Sequence, residues 1–294
     1  AHQKWLIKQF FPDTADTAFL EKHAGLRGLR RRNATYAAGK GDKVSGNTNA
    51  VLDVGLQIKT EDGRFYETTE RAVISADGTA VVAVRSLATG AAQNIKTATK
   101  GSFMAAPVGV SSDVVLNDVV GGTNKESDSS LLERLLNKIR RPAAGGNRYD
   151  YKDWALYVDG VEQAYVYPLR RGLGTVDIAI TADNDVPNDD TVRRAQAYID
   201  DERPVTAKES KVVKPDVTKV NFNIQVKISG VALNDIKTAI RNALTDYFNG
   251  LIPGDDLIVS QCEAVVSDLI GVVDRHFVAP NANRKADVIN KIEW

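Results

Sequence analysis

Residues 121–151, GGTNKESDSSLLERLLNKIRRPAAGGNRYDY, constrain the chain more than any other stretch. The double glycine Gly121-Gly122 precedes an acidic, serine-containing helix start. Leu131, Leu132, Leu135, Leu136 and Ile139 then fall on one helical face, with Glu133, Arg134 and Lys138 opposite. Ser130 and Glu133 are placed for a capping box, and Pro142, after Arg140 and Arg141, stops the helix. A second double glycine, Gly145-Gly146, leads into Asn147-Arg148-Tyr149-Asp150-Tyr151, the start of another helix. The block offers no nucleophile, metal cluster or phosphate loop.

On either side of this block the hydrophobic period changes. Residues 1–33 read as a helical assembly segment. Trp5 to Phe11 is a short helix ended at Pro12-Asp13-Thr14, and Phe19, Leu20, His23, Leu26 and Leu29 fall near helical spacing. Ala24, Gly25 and Gly28 allow close packing, either on a partner helix or on this protein's own core. Arg30-Arg31-Arg32 reads as a solvated helix end favoured by the helix dipole. Trp5, Leu6, Ile7, Phe10 and Phe11 form an apolar surface with little nearby sequence to cover it, and such surfaces mark interfaces.

Residues 34–115 form a β-rich module. Leu56 to Lys59, Arg64 to Thr68 and Thr79 to Val84 read as strands. Asp62-Gly63 and Ala76-Asp77-Gly78 suit primed hairpin turns, where positive φ is required.

The pattern then becomes mixed: a central α/β domain over 116–229 and a C-terminal α/β domain over 230–294. Strands are expected at Glu162 to Tyr167, Thr175 to Thr181 and Val220 to Ile228, with a helix over Thr191 to Glu202 capped by Asp189 or Asp190. Leu233 to Asn249 is a helix, and Ser260 to Glu263 fits a capping box for another. Gly271-Val272 opens a strand ending near Pro280, and Asp287 to Trp294 is a final strand. Helix, Gly-Val, strand and proline recur at 160–168 and 271–280, which fits two α/β units of similar build or chance. The fold class expected is α+β and multidomain: N-terminal helices, a small all-β module, then two small α/β units.

Lysine plus arginine and aspartate plus glutamate both total 38, so the net charge is zero and a dedicated nucleic-acid binder is disfavoured. No apolar run reaches the ~18–20 residues of a membrane helix. The N-terminus is too polar for a signal peptide. One cysteine, Cys262, excludes an internal disulfide and fits a reducing compartment. A soluble, cytoplasmic protein is expected.

Catalytic chemistry is not legible. Of three histidines, His2 lies at a terminus, His23 on a helix face and His276 in a strand, none beside an evident nucleophile. Cys262 falls on an apolar helical stripe, as a buried structural thiol does. Asp183 to Asp190 is rich in oxygen ligands but fails as an EF-hand loop, with Asn188 where glycine and Arg194 where glutamate belong. Gly172-Leu-Gly174 and Gly39-Lys-Gly41 lack the strand–helix setting of a nucleotide site. No catalytic residue, metal or cofactor is expected.

The order of several short pieces resembles the baseplate J-like family of contractile tails. They are Thr17 to Leu29; Val54-Gly55 through Asp62-Gly63; Tyr66-Glu67-Thr68; Gly90 to Asn94; Gly121-Gly122-Thr123; Glu126-Ser127; Gly145-Gly146-Asn147; Tyr151; Tyr167-Pro168; Arg203-Pro204-Val205; and Gly271-Val272. Gln93 departs from the pattern, standing where the family more often has a second glycine. The resemblance is closest to Mu-like tails and covers roughly residues 14–294.

It implies a structural wedge subunit of a phage tail or tail-like injection machine, in a ring around the tail hub and assembled in the host cytoplasm. The partners implied are other copies of itself, a smaller helical wedge protein and tail hub proteins, with no nucleic acid and no membrane. Members commonly carry more N-terminal helical sequence, so a further helix is expected ahead of residue 1. Candidate partner-binding residues are Trp5, Leu6, Phe10, Phe11, Phe19 and Leu26, with Pro253, Asp255 and Asn281 on exposed edges of the C-terminal domain. The alternatives are a tail-associated cell-wall hydrolase, marked by two carboxylates ~5–9 Å apart in a cleft, and a carbohydrate-binding tail adhesin, marked by exposed aromatics on the β-module.

Overall fold

The switch from helical to alternating period is realised as a helical hairpin followed by a closed barrel. A computed structural model describes residues 2–182, 186–286 and 290–293. The chain divides into two units, Ala1–Val213 and Lys214–Trp294, and the fold is α+β and multidomain.

The first unit begins with helices α1 (His2–Gln9) and α2 (Thr17–Gly25). Helix α2 ends earlier than the apolar spacing suggests. Gly28 takes φ +69°, its N–H donates to Gly25 O, and Leu29 N–H donates to Ala24 O. This glycine-terminated cap satisfies two otherwise orphaned carbonyls. It turns Leu29 into an apolar cluster with Leu20, Ala24, Leu131 and Leu135. Ala24 therefore packs on the protein's own core, while Gly25 and Gly28 face open space. Arg30-Arg31-Arg32 lies beyond the helix, in extended chain rather than at a solvated helix end.

Strands β1 (Tyr36–Gly46), β2 (Val51–Leu52), β3 (Gln57–Thr60), β4 (Phe65–Thr68), β5 (Ala72–Val73), β6 (Thr79–Thr89), β7 (Thr99–Phe103) and β8 (Val110–Leu116) follow. Six close into a barrel in the order β1-β6-β4-β3-β7-β8, and β2 pairs with β5 outside it. Alternation along β6 sends Ala80, Val82 and Val84 inward, where they meet Val44, Ile58, Tyr66, Val114 and Leu116. The turns at Gly63 and Gly78 differ from expectation. Only the glycines have positive φ, +87° and +75°, whereas a primed two-residue turn of type I′ needs it at both positions. The aspartates instead accept local hydrogen bonds: Asp62 from Thr60 Oγ1 and Asp77 from Thr79 N. A 3₁₀ turn spans Ala91–Gln93, and Tyr66 donates its hydroxyl to Gln93 O at 2.7 Å.

Leaving the barrel, the chain forms α3 (Asp128–Arg140), α4 (Arg148–Tyr157), β9 (Gln163–Pro168), β10 (Thr175–Thr181), α5 (Asp189–Glu202) and β11 (Glu209–Val213). Helix α3 is capped one turn earlier than the Ser130–Glu133 reading, by Ser127 accepting from Ser130 N. Asn147 and Asp150 form a capping box on α4. Helix α5 is capped by Asn188, not by Asp189 or Asp190. Those two carboxylates occupy its first turn, where the helix dipole favours them. The sheet order is β11-β10-β9, with β10–β11 parallel and β9–β10 antiparallel. Central β10 is buried on both faces except at Val176. Strand β11, not anticipated, has its edge occupied by Gln196: the side-chain amide donates to Ser210 O at 3.1 Å and accepts from Val212 N at 2.7 Å.

The second unit contains β12 (Asp216–Lys219), β13 (Asn223–Ile228), α6 (Leu233–Gly250), α7 (Val259–Ser267), β14 (Val272–Ala279) and β15 (Asn290–Glu293). Strand β13 pairs with β14, and β12 with β15. Val220 to Phe222 precede β13 rather than extending it. Their neighbours Leu244, Phe248, Leu257, Cys262, Val266 and Phe277 build one core. Helix α7 starts at Val259, so Ser260 lies inside it. The Val259 N–H donates to Asn283 Oδ1 at 2.9 Å, a cap supplied from 24 residues downstream. The element orders of the two α/β regions differ, so the Gly-Val echo is local. Residues 287–289 and 294 of the expected last strand lie outside the described residues.

Candidate assembly surfaces

Helix α1 is held to α2 by polar bonds. Gln9, 5% exposed, accepts from Asp16 N at 2.8 Å and donates to Asp16 Oδ2 at 3.2 Å. Trp5 Nε1 donates to Asp16 Oδ2 at 2.6 Å, Thr14 Oγ1 to Lys8 O at 2.7 Å, and His23 Nε2 lies 2.7 Å from Gln9 O. The Trp5 ring stacks on His2 and meets Phe19 edge-on. Because polar groups fasten the helix, its apolar side chains are left outward. Leu6, Ile7, Phe10 and Phe11 are exposed, Phe10 by 72%. Phe19 is half-buried beneath Lys22, and Leu26 projects from the end of α2. The structure therefore joins Trp5 to Phe19 and leaves Leu6, Phe10, Phe11 and Leu26 unpartnered among the described residues. In the second unit, Asn281 is exposed and Asp255 half-buried, accepting from Ile252 N. Pro253 is buried, a correction to its assignment as an exposed edge; the loop turns it inward.

The arginine run ties the first unit together. Arg30 pairs with Asp159 at 2.7 Å and lies over the Tyr157 ring. Arg31 bridges Glu21 and Asp128, both at 2.6 Å, and donates to Glu126 O. Arg32 pairs with Glu126 at 2.9 Å and donates to Ser130 Oγ and to Val161 O. Glu126 also accepts from Arg134 at 2.7 Å. Its carboxylate is fully buried. Burial alone would raise its pKa, but Arg32 and Arg134 outweigh burial and hold the group below the usual carboxylate range. Burial in turn lowers the Arg32 guanidinium. Single-residue reading missed this network because the ties from Arg30, Arg31 and Arg32 to residues 126, 128, 159 and 161 span 94 to 129 residues. The available signal was the pairing of three consecutive arginines with the acidic Glu126-Ser127-Asp128.

A polar cleft of about 240 Å³ beside the network is lined by Arg32, Asn124, Lys125, Glu126, Ser130 and Glu162. The Glu126 oxygens there are engaged by Arg32, Arg134 and Ser130. In the barrel, Tyr66 and Phe103 point into the core, while the two exposed rings each lie beside a cation, Phe65 under Lys59 and Tyr36 under Arg85. Cys262 is fully buried, and burial pushes its thiol up to about 11. His23 is engaged with Gln9 O, and His276 sits exposed on β14. Among the described residues no three His, Cys, Asp or Glu side chains group to hold a metal, and no helix is long and apolar enough to cross a membrane. Asp183 and Asp185 of the acidic loop lie outside the described residues.

The fold and its surfaces define a multidomain α+β protein that offers apolar and ionic contacts. The chain belongs to the baseplate J-like family. The Baseplate J-like protein barrel domain matches residues 43–123, the Baseplate J-like central domain residues 143–213, and the Baseplate J-like protein C-terminal domain residues 220–294. The Mu-like prophage FluMu protein gp47 of Haemophilus influenzae is 30% identical over 100% of this chain and 86% of its own length. The baseplate protein gp47 of Escherichia phage Mu is likewise 30% identical, with the same coverage. The phage-like element PBSX protein XkdT of Bacillus subtilis is 29% identical over 98% of this chain and 83% of its own. A chain of the anti-feeding prophage baseplate, solved by cryo-EM, is 12% identical over 92% of this chain and 78% of its own, with a TM-score of 0.45. A structural part in a phage-type baseplate is the coarse role that goes with the family.

Proposed function

We propose that the chain is a wedge subunit of a contractile tail baseplate, built into a ring around the tail hub. Its partners are other copies of itself, a smaller helical wedge protein and hub proteins, and it is assembled in the host cytoplasm. The role needs no cofactor and no catalysis. The observation that carries this reading is α1, whose polar attachment leaves Leu6, Ile7, Phe10 and Phe11 outward. Burying an aromatic or aliphatic side chain fully is worth roughly 1.5–3 kcal/mol, so this one helix supplies a strong anchor for a helical partner. The second unit, through exposed residues such as Asn281, joins neighbouring wedges. Each such contact can be weak, because a closed ring repeats it.

The test is co-expression with the other proteins of its baseplate, followed by mass measurement of the purified complexes. The full chain is expected in a complex of several subunits. A chain lacking residues 1–12 is expected as a folded monomer. An unchanged complex from the deleted chain would remove α1 from the interface.

A further inference from the structure

We infer that one end of the three-stranded sheet is a second docking surface, fitted to an acidic and partly apolar face of another protein in the assembly. The inference rests on the baseplate role proposed above. Strands β10 and β11 run parallel and β9 antiparallel to them, so β10 and β11 begin where β9 ends. Three connections meet there: residues 141–147, 169–174 and 203–208. Gly146 is packed against the Pro204 ring with no room for a Cβ. Lys208 N and Glu209 N both donate to Gly174 O, at 3.0 and 3.3 Å.

This end is stiff. The fully buried Asp177 on β10 accepts from Arg170 at 2.8 Å and from Arg171 at 2.6 Å, and Arg171 also reaches Glu209 at 2.6 Å. Burial would raise the Asp177 carboxyl, but the two arginines hold it below its ordinary value. Leu169 sits at φ +63°, a conformation a leucine keeps only when its surroundings impose it.

The same end is cationic and apolar. Arg140, Arg141, Arg148 and Lys208 are exposed, with no carboxylate partner among the described residues, whereas the arginines at 30–32 and 170–171 are all paired. Arg141 and Arg148 both lie over the exposed Tyr149 ring, at 4.3 and 5.5 Å. Leu173 is 84% exposed, and Leu169 and Val205 also project into solvent. Cations left unpaired beside projecting apolar tips call for carboxylates around apolar recesses. The fixed geometry lowers the ordering cost of binding, an advantage toward a shaped protein surface that a fluid bilayer does not use. A chain of zero net charge also lacks the long-range pull toward a polyanion such as nucleic acid.

The experiment measures binding of the full chain to a baseplate subassembly purified from cells lacking this one gene. R141E/R148E and L173S/V205S are each expected to bind at least 10-fold more weakly while keeping the wild-type circular dichroism. Raising salt from 0.1 to 0.5 M is expected to weaken the wild type. If the wild type binds and both variants match it, this inference fails and the baseplate role stands. If the wild type does not bind, both fail. Vesicles containing one-third anionic phospholipid and a 30-base-pair DNA duplex are the remaining probes. Wild-type binding to either at comparable affinity, lost in R141E/R148E, would overturn the protein partner.

Discussion

Arg32 and Glu126 are 94 residues apart in the chain and meet at 2.9 Å, with the carboxylate fully buried. Arg134 completes the cluster from α3. The pair fastens the segment after α2 to the exit of the barrel and, through Val161 O, to the turn after α4.

Removing the acid from this cluster leaves two largely buried guanidinium groups without their counter-charge. Glu126→Ala is expected to cost about 3–5 kcal/mol, the range for breaking a buried pair on one side. Guanidinium unfolding followed by tryptophan fluorescence measures it. A loss below about 1 kcal/mol would mean that the cluster contributes little.

The pH dependence has a defined sign. The folded Glu126 carboxyl titrates below its ordinary value, burial opposing and the two arginines prevailing. Its stabilisation is therefore complete above the unfolded value near ~4.3 and is lost as pH falls through the lower folded value. The stability difference between wild type and E126Q is expected to narrow steadily below about pH 4. A difference that is flat with pH, or widens in acid, would contradict the assignment.

Gly121 and Gly122 are irreplaceable for separate reasons. Gly121 has φ +83°, and a Cβ there would lie 2.7 Å from the Asn188 backbone nitrogen that begins α5. At Gly122 a Cβ would lie 2.6 Å from Gly90 O. Gly→Ala at either position is expected to cost about 1–3 kcal/mol by overpacking, with the positive φ adding about 1 at Gly121. Chemical denaturation of both variants tests this, and a neutral result at Gly121 would show that the loop relaxes freely.

Phe10→Ser and Phe11→Ser separate interface from core. Both rings are mostly exposed, so stability is expected to change by less than about 0.5 kcal/mol. Association with the baseplate partners is expected to fall at least tenfold. Unfolding of the helical hairpin at lower temperature in either variant would place these rings in the core instead.

Cys262 is expected to be inert toward Ellman's reagent in the folded protein at pH 8, since burial raises the thiol to about 11 and only the thiolate reacts. Reaction is expected to appear only with denaturant, tracking unfolding of the second unit. Stoichiometric labelling under native conditions would show that α7 opens.

What was legible in the sequence was governed by local chemistry. The helix over 233–250 and the strand Thr175–Thr181 declare themselves by period, and α4 by its asparagine cap. The caps at Ser127 and Asn188 were displaced because several acceptors compete within one turn, whereas that of α7 comes from Asn283, too far along the chain to be read locally. Strand β11 was missed because Glu209-Ser210-Lys211 reads as polar; its place beside β10 is fixed by parallel pairing, which leaves little local trace. Of the candidate surface, the apolar character of α1 was plain, since nothing nearby in sequence covers it. The role of Arg30 to Arg32 was not, because their partners at 126, 128 and 159 come near only once the barrel has formed.

The Gln196 amide, seated on Ser210 O and Val212 N, has a bearing on life before assembly. A subunit made to enter a larger object accumulates beside many identical copies, and an open sheet margin is the shortest route to indiscriminate stacking. With Ser210 O and Val212 N already engaged from within, that stretch of β11 offers an incoming strand from another copy no free pair to bond.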